Sequence, residues 1–121
     1  EKSVGLDNLL KELQCGYGLF ATGKTNKKYQ WAYPNVWAPY HVIAVDGLLN
    51  YGLVKEALVV ANEYTRLIET NFEKTGKLYE KYNGETGGTD AVSEYGTPEM
   101  LGWTAGAYMY LSEFIKDHGD A

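Results

Sequence analysis

The chain has one cysteine, three prolines and no long apolar run, and each scarcity removes a class of protein. The single thiol, Cys15, can close no disulfide within the chain, so a cysteine-stapled scaffold is excluded. Following an apolar stretch and beside Gly16, it reads as a small packing residue. Nowhere does the sequence approach the roughly 20 consecutive apolar residues that span a bilayer. Basic residues are outnumbered, 11 Lys and Arg against 16 Asp and Glu, giving a net charge of −5. A phosphate-binding surface needs a basic patch, so neither nucleic acid nor membrane is expected as a partner. The one cluster, Lys24, Lys27 and Lys28, lies among Gly, Thr and Asn and reads as a solvated loop. His41 and His118 are far apart, with no Cys or His at ligand spacing, so neither a metal nor a cofactor is expected. The first residues lack the basic-then-apolar pattern of a leader, and the chain starts at Glu1 rather than Met. The start at Glu1 reads as that of a fragment or a processed chain. The compartment stays open, the lone cysteine leaning toward the cytoplasm.

What is abundant is aromatic and glycyl, 11 Tyr, 3 Trp and 14 Gly in 121 residues, while a hydrophobic content of 45% suffices for one modest core. Leu6, Leu9, Leu10 and Leu13 recur at helical spacing, with Ser3 placed to cap the start and Gly16 to close the end. A second helix is expected from Pro39 through His41, Val42, Ile43, Val45, Leu48 and Leu49 to Gly52. A third follows from Val54, carrying Leu58, Ala61, Thr65, Ile68 and Phe72 on one face, and ends at Gly76. The short connection between these two makes them a helical hairpin. A last helix runs from Leu101 or Thr104 to Lys116, presenting Ala105, Tyr108, Leu111, Phe114 and Ile115. Residues 17–35 and 76–100 show no sustained period and read as two long loops, and loops of that length in so small a chain imply a functional task.

The unusual chemistry lies in those loops. Gln30-Trp31-Ala32-Tyr33-Pro34-Asn35-Val36-Trp37-Ala38-Pro39 sets two indoles, a phenol and amide side chains at a helix entry. Ring faces stack on sugar C–H groups, amides pair with adjacent hydroxyls, and helix-terminal N–H groups remain available. By composition alone the same residues serve equally to pin a loop to the core. In the second loop, Glu80 stands between Tyr79 and Tyr82 with Lys81 adjacent, a setting able to tune its ionisation. Glu85, Asp90, Glu94 and Glu99 lie in the same region, and spacing alone does not choose among these carboxylates.

The order of the motifs does choose. The first cluster resembles the signature Gln-Trp-Asp-x-Pro-Asn-x-Trp-x-Pro of the trehalase family. Lys77-Leu78-Tyr79-Glu80-Lys81-Tyr82-Asn83 is similar to that family's Lys-Leu-x-Glu-Lys-Tyr-Asp. Glu94-Tyr95 and Gly102-Trp103-Thr104-x-Gly106 are similar to its Gly-Glu-Tyr and Gly-Trp-Thr-Asn-Gly. Ala32 stands where the signature has Asp, and the glycine run before the Glu-Tyr pair is thinned to Gly87-Gly88. Glu80-Lys81-Tyr82-Asn83 lies between the trehalase pattern and the Glu…Asn-Tyr-Asn of processing α-glucosidases in the same clan.

The resemblance implies an all-α fold, with residues 1–121 as the C-terminal helices of a single (α/α)6 barrel, incomplete here at about four helices. It implies an inverting glycoside hydrolase acting on α-glucosides, α,α-trehalose foremost, with Glu80 as the catalytic general base. Gln30, Trp31, Asn35, Trp37, Glu94, Tyr95 and Trp103 are the implied substrate-binding residues. The family's general acid is an Asp well upstream of the Gln-Trp motif, and nothing before residue 30 resembles its surroundings. A small carbohydrate is therefore the implied ligand. The exposed apolar faces would meet the remainder of the barrel or another copy of the chain. The alternative readings are a catalytically silent sugar-binding or structural helical fragment, or a related processing-type α-glucosidase.

Overall fold

A computed structural model describes residues 2–90, 96–99 and 102–119, and the side chains of residues 2–4 are outside the description. Four helices and one two-stranded sheet are formed: α1 (Lys2–Leu13), β1 (Asn35–Trp37), α2 (Ala38–Asn50), α3 (Val54–Thr75), β2 (Lys81–Asn83) and α4 (Gly102–His118).

The helices follow the apolar periods, with two adjustments. α1 already runs from Lys2, so Ser3 lies inside its first turn and is not its cap. Its end is a tight reversal through Gly16 and Gly18, both at positive φ, with Cys15 N–H donating to the Gly18 carbonyl. α2 has Pro in its first turn, where the missing N–H costs no helical bond. It closes as a Schellman motif: Leu53 N–H reaches the Leu48 carbonyl and Gly52 N–H that of Leu49. Gly52 supplies the positive φ this turn demands. The hairpin partner α3 starts at once and ends on Gly76, again left-handed.

α3 is the central helix, packed against both α2 and α4. Its buried arc is accordingly wider than one stripe, taking in Ala57, Val60, Ala61, Tyr64, Thr65, Leu67, Ile68 and Asn71. Phe72, expected on that face, is 50% exposed. It borders a shallow groove of about 290 Å³ together with Ile68, Glu69, Leu78 and Tyr108. On α4 the inward positions are Thr104, Ala107, Leu111 and Phe114, with Tyr108 and Ile115 only half-buried.

The two loops are not structureless. β1 and β2 pair antiparallel, with Asn35 opposite Asn83, Val36 opposite Tyr82 and Trp37 opposite Lys81. Three residues are too few to display an alternating period, and every one of the six is buried, so the sequence carries no strand pattern.

His41 fastens the first loop to the helices. Its Nε2 accepts the Leu19 N–H at 2.9 Å, so the proton sits on Nδ1 and is donated to the Trp37 carbonyl at 2.6 Å. The ring stacks on Tyr64 with centroids 3.7 Å apart. Gly18 must be glycine: a β-carbon there would come within 2.3 Å of the imidazole Nε2.

Burial lowers the pKa of His41 to about 4. The unfolded chain protonates this ring near 6.5, and the native protein only near 4, so the unfolded state binds more protons in between. His41's contribution is thus complete above pH 6.5 and falls by about 3 kcal/mol as pH drops toward 4. Urea unfolding midpoints across that window should decline for the native sequence and decline less for His41→Gln. Identical pH slopes for the two proteins would contradict the neutral, doubly bonded imidazole.

Candidate functional site

The strand pair has two faces. Side chains alternate along a strand, so Val36 and Tyr82 share one face and join the core. Asn35, Trp37, Lys81 and Asn83 share the other, and the candidate site is built there.

Trp31 and Trp37 stack with centroids 3.8 Å apart and planes 13° from parallel. Trp103, from the first turn of α4, meets both edge-on, at 6.0 Å from Trp31 and 5.7 Å from Trp37. Tyr40 adds an edge contact to Trp31 from α2. Such aromatic pairs contribute about 0.5–1.5 kcal/mol each beyond the area they bury. Trp37 is buried, whereas Trp31 leaves 40% of its surface to solvent. The wall therefore has an indole facing outward and a second indole fixing it from behind.

Gln30 serves that wall through its backbone. Its carbonyl accepts the Trp37 indole N–H at 2.8 Å and the Asn35 amide at 3.0 Å. The Gln30 side-chain Oε1 is buried with no hydrogen-bond partner among the described residues. Ala32, at the position of the signature's Asp, is buried, and its carbonyl accepts the Asn35 backbone N–H. Asn35 itself is wholly interior.

Glu80 occupies a bend immediately before β2 and is almost entirely buried. Its carboxylate Oε1 accepts from the Lys81 ammonium at 3.1 Å. Lys81, fully buried, also lies over the Trp37 ring, 5.3 Å from its centroid. The backbone of Glu80 is held on two sides. Its N–H donates to the Pro98 carbonyl, and its own carbonyl accepts the Trp103 indole at 3.4 Å. One residue earlier, Thr104 Oγ1 donates to the Tyr79 carbonyl at 2.6 Å. Tyr79 N–H in turn donates to the Tyr82 hydroxyl, whose pKa is raised by burial.

Beyond β2 the chain folds back through an Asn83-centred turn. Asn83 Oδ1 accepts the N–H groups of Glu85 and Thr86, and its Nδ2 reaches the Asp90 carbonyl. Gly87, at positive φ, packs so tightly on Tyr17 that a β-carbon would lie 2.5 Å from the ring. Thus Asn83 is a structural anchor of the second loop.

Of the residues singled out from the sequence, the structure brings together Gln30, Trp31, Asn35, Trp37, Trp103 and Glu80. Glu94 and Tyr95 lie outside the described residues. Lys81 and Tyr40 were not singled out. The lysine was legible only as a neighbour of Glu80, since a Lys in a loop ordinarily faces water. Cys15 stands apart from this site, its thiol pushed up to about 11 by burial. Among the described residues no group of three or more His, Cys, Asp or Glu side chains could hold a metal ion. No described helix is long and apolar enough to cross a membrane.

Comparison with known proteins adds to this geometry. The family model described as trehalase matches residues 6–116. A putative periplasmic trehalase of Escherichia coli O157:H7 is 33% identical over 87 residues, covering 71% of this chain and 16% of that protein. The periplasmic trehalase of Escherichia coli (strain K12 / DH10B) has the same identity over the same length, here 15% of the relative. The chain therefore spans about a sixth of the length of the curated relatives it matches. Neutral trehalase from Saccharomyces cerevisiae superposes with a TM-score of 0.76 at 22% identity, over 97% of this chain and 21% of that one. At that identity the likeness is one of fold: the described helices are arranged as in a segment of an (α/α)6 barrel.

The Thr104 hydroxyl is the buried link between α4 and the residues leading into Glu80. Thr104→Val keeps the shape and leaves the Tyr79 carbonyl without this donor, at a cost of about 1–3 kcal/mol. Chemical denaturation should register that loss, and a change of only a few tenths would show that the link carries no weight.

Proposed function

Because the chain belongs to the trehalase family of glycoside hydrolases, we propose that it supplies the general base and one wall of the sugar pocket of an inverting α-glucosidase, with α,α-trehalose as the foremost substrate. Inverting hydrolysis needs two carboxyl groups on opposite sides of the scissile bond. One protonates the departing oxygen, and the other takes a proton from the attacking water. Glu80 is the second of these. The observation that carries the reading is its setting: a nearly buried carboxylate held by an ammonium that lies on the same indole stack as the exposed face of Trp31.

The wall fits a sugar in chemical terms. Trp31 offers an apolar plate for C–H groups, and Gln30 Oε1, without a partner among the described residues, is an acceptor for a hydroxyl. Glu94 and Tyr95 complete the binding set by their match to the family motif. The general acid comes from another part of the barrel, since a single carboxylate cannot act on both faces at once.

The helices support an incomplete barrel as well. Pro39, Val42, Ile43, Trp103, Gly106, Ala107 and Tyr110 line an open apolar groove between α2 and α4, with Ile43 68% and Met109 72% exposed. Faces of this kind are covered by neighbouring helices in a closed ring. Buried Ala32 stands where the family signature has Asp, so the first motif brings no carboxylate to this wall.

Glu80→Gln keeps the size and removes the base. In the protein carrying this chain it should lower glucose release from trehalose by about 10²–10⁴-fold, measured below the melting temperature, which falls because the buried Lys81 ammonium loses its carboxylate. Turnover within a few-fold of the native protein would remove Glu80 from the mechanism.

A further inference from the structure

Lys81 has a position that the hydrolytic reading leaves unexplained. Taking an ammonium out of water costs several kcal/mol unless it is paired and well placed. Lys81 is fully buried in a strand of three residues, within a sheet whose other face already supplies core packing through Val36 and Tyr82. An apolar side chain at this site would serve the fold at lower cost. The ammonium touches both halves of the proposed machinery: the Glu80 carboxylate at 3.1 Å and the face of Trp37 at 5.3 Å. The strand register accounts for the second contact, since Lys81 and Trp37 are direct partners across the ladder. Glu80, just outside the regular strand, has a backbone fixed by Pro98 and Trp103, and Lys81 donates to its carboxylate Oε1. By contrast, the ion pair of Lys77 with Glu99, at 2.7 Å, is solvent-exposed.

We propose that Lys81 is a positioning residue for hydrolysis: it orients the Glu80 carboxylate toward the attacking water and ties that orientation to the indole wall on which the sugar rests. This rests on the assignment of Glu80 as general base. Removing the ammonium from Oε1 lets the carboxylate settle differently, and a misplacement of about an ångström costs about 100-fold in rate. Sugar binding depends instead on Trp31 and its neighbours, which stay stacked through the Gln30 and Trp103 contacts. A positioning role therefore lowers kcat and leaves ligand affinity in place, whereas a purely structural role would weaken both.

The test uses the protein carrying this chain, with trehalose as the probe, and compares Lys81→Met, Lys81→Arg and Glu80→Gln. Folding is monitored by thermal melting, affinity by tryptophan fluorescence and turnover by glucose release. The expected result is a loss of about 100-fold in kcat for Lys81→Met, a trehalose Kd within three-fold or so of the native value, and recovery of most of the loss in Lys81→Arg, which keeps the cation. Near-native kcat in Lys81→Met, with Glu80→Gln inactive, would overturn the positioning role and leave the base assignment standing. Parallel losses of kcat and affinity would do the same. Native turnover in Glu80→Gln would instead remove the base assignment itself. If neither lysine variant folds, Lys81 is a stability residue and the proposal fails.

Discussion

The ladder between Asn35–Trp37 and Lys81–Asn83 is the constraint on which the rest of this molecule depends. It is only three residues long on each side, yet it joins the ends of two loops that contain nearly all the unusual side chains. β1 runs directly into α2, and the bend before β2 is pinned to α4 by Trp103 and Thr104. Further backbone bonds lock the surrounding chain to it: Ala21 N–H to the Asn35 carbonyl and Gly84 N–H to that of Pro34. Two segments some 45 residues apart in sequence thereby become one surface.

The ladder also explains how a lysine can be buried here. Its inward face is apolar, and its other face brings a cation, a carboxylate and an indole into mutual contact. Each offsets part of the desolvation of the next: the ammonium is paired by Glu80 and lies against the quadrupole of Trp37. The polar and aromatic parts of the candidate site are thus one packing unit. Trp37 belongs to both, stacking on Trp31 to form the wall and lying under the ammonium that holds the carboxylate.

Much of the scaffold was legible from the sequence because its signals are local. Pro39, Gly52 and Gly76 mark helix ends through the backbone geometry each allows, and the observed boundaries of α2 and α3 follow them. The face of α3 was only half legible, since a helix flanked on two sides buries more than one stripe. The strands were not legible at all: with six buried residues there is no alternation to read. The role of His41 was hidden for a similar reason, because its partner Leu19 lies 22 residues away and only folding brings the two together. The candidate site was legible through ordered motifs, which named Glu80 and the tryptophans. The contact that links them, Lys81, depends on strand register and becomes visible only in three dimensions.

The claim at the centre of this account is that Glu80 acts on water and forms no bond to the sugar. The direct measurement is proton NMR of the glucose anomers in the first moments of trehalose hydrolysis, before mutarotation mixes them. Direct attack by water inverts one anomeric centre, so the account predicts α- and β-glucose in equal amounts. Initial release of α-glucose alone would mean two successive inversions through a covalent intermediate, and would contradict it.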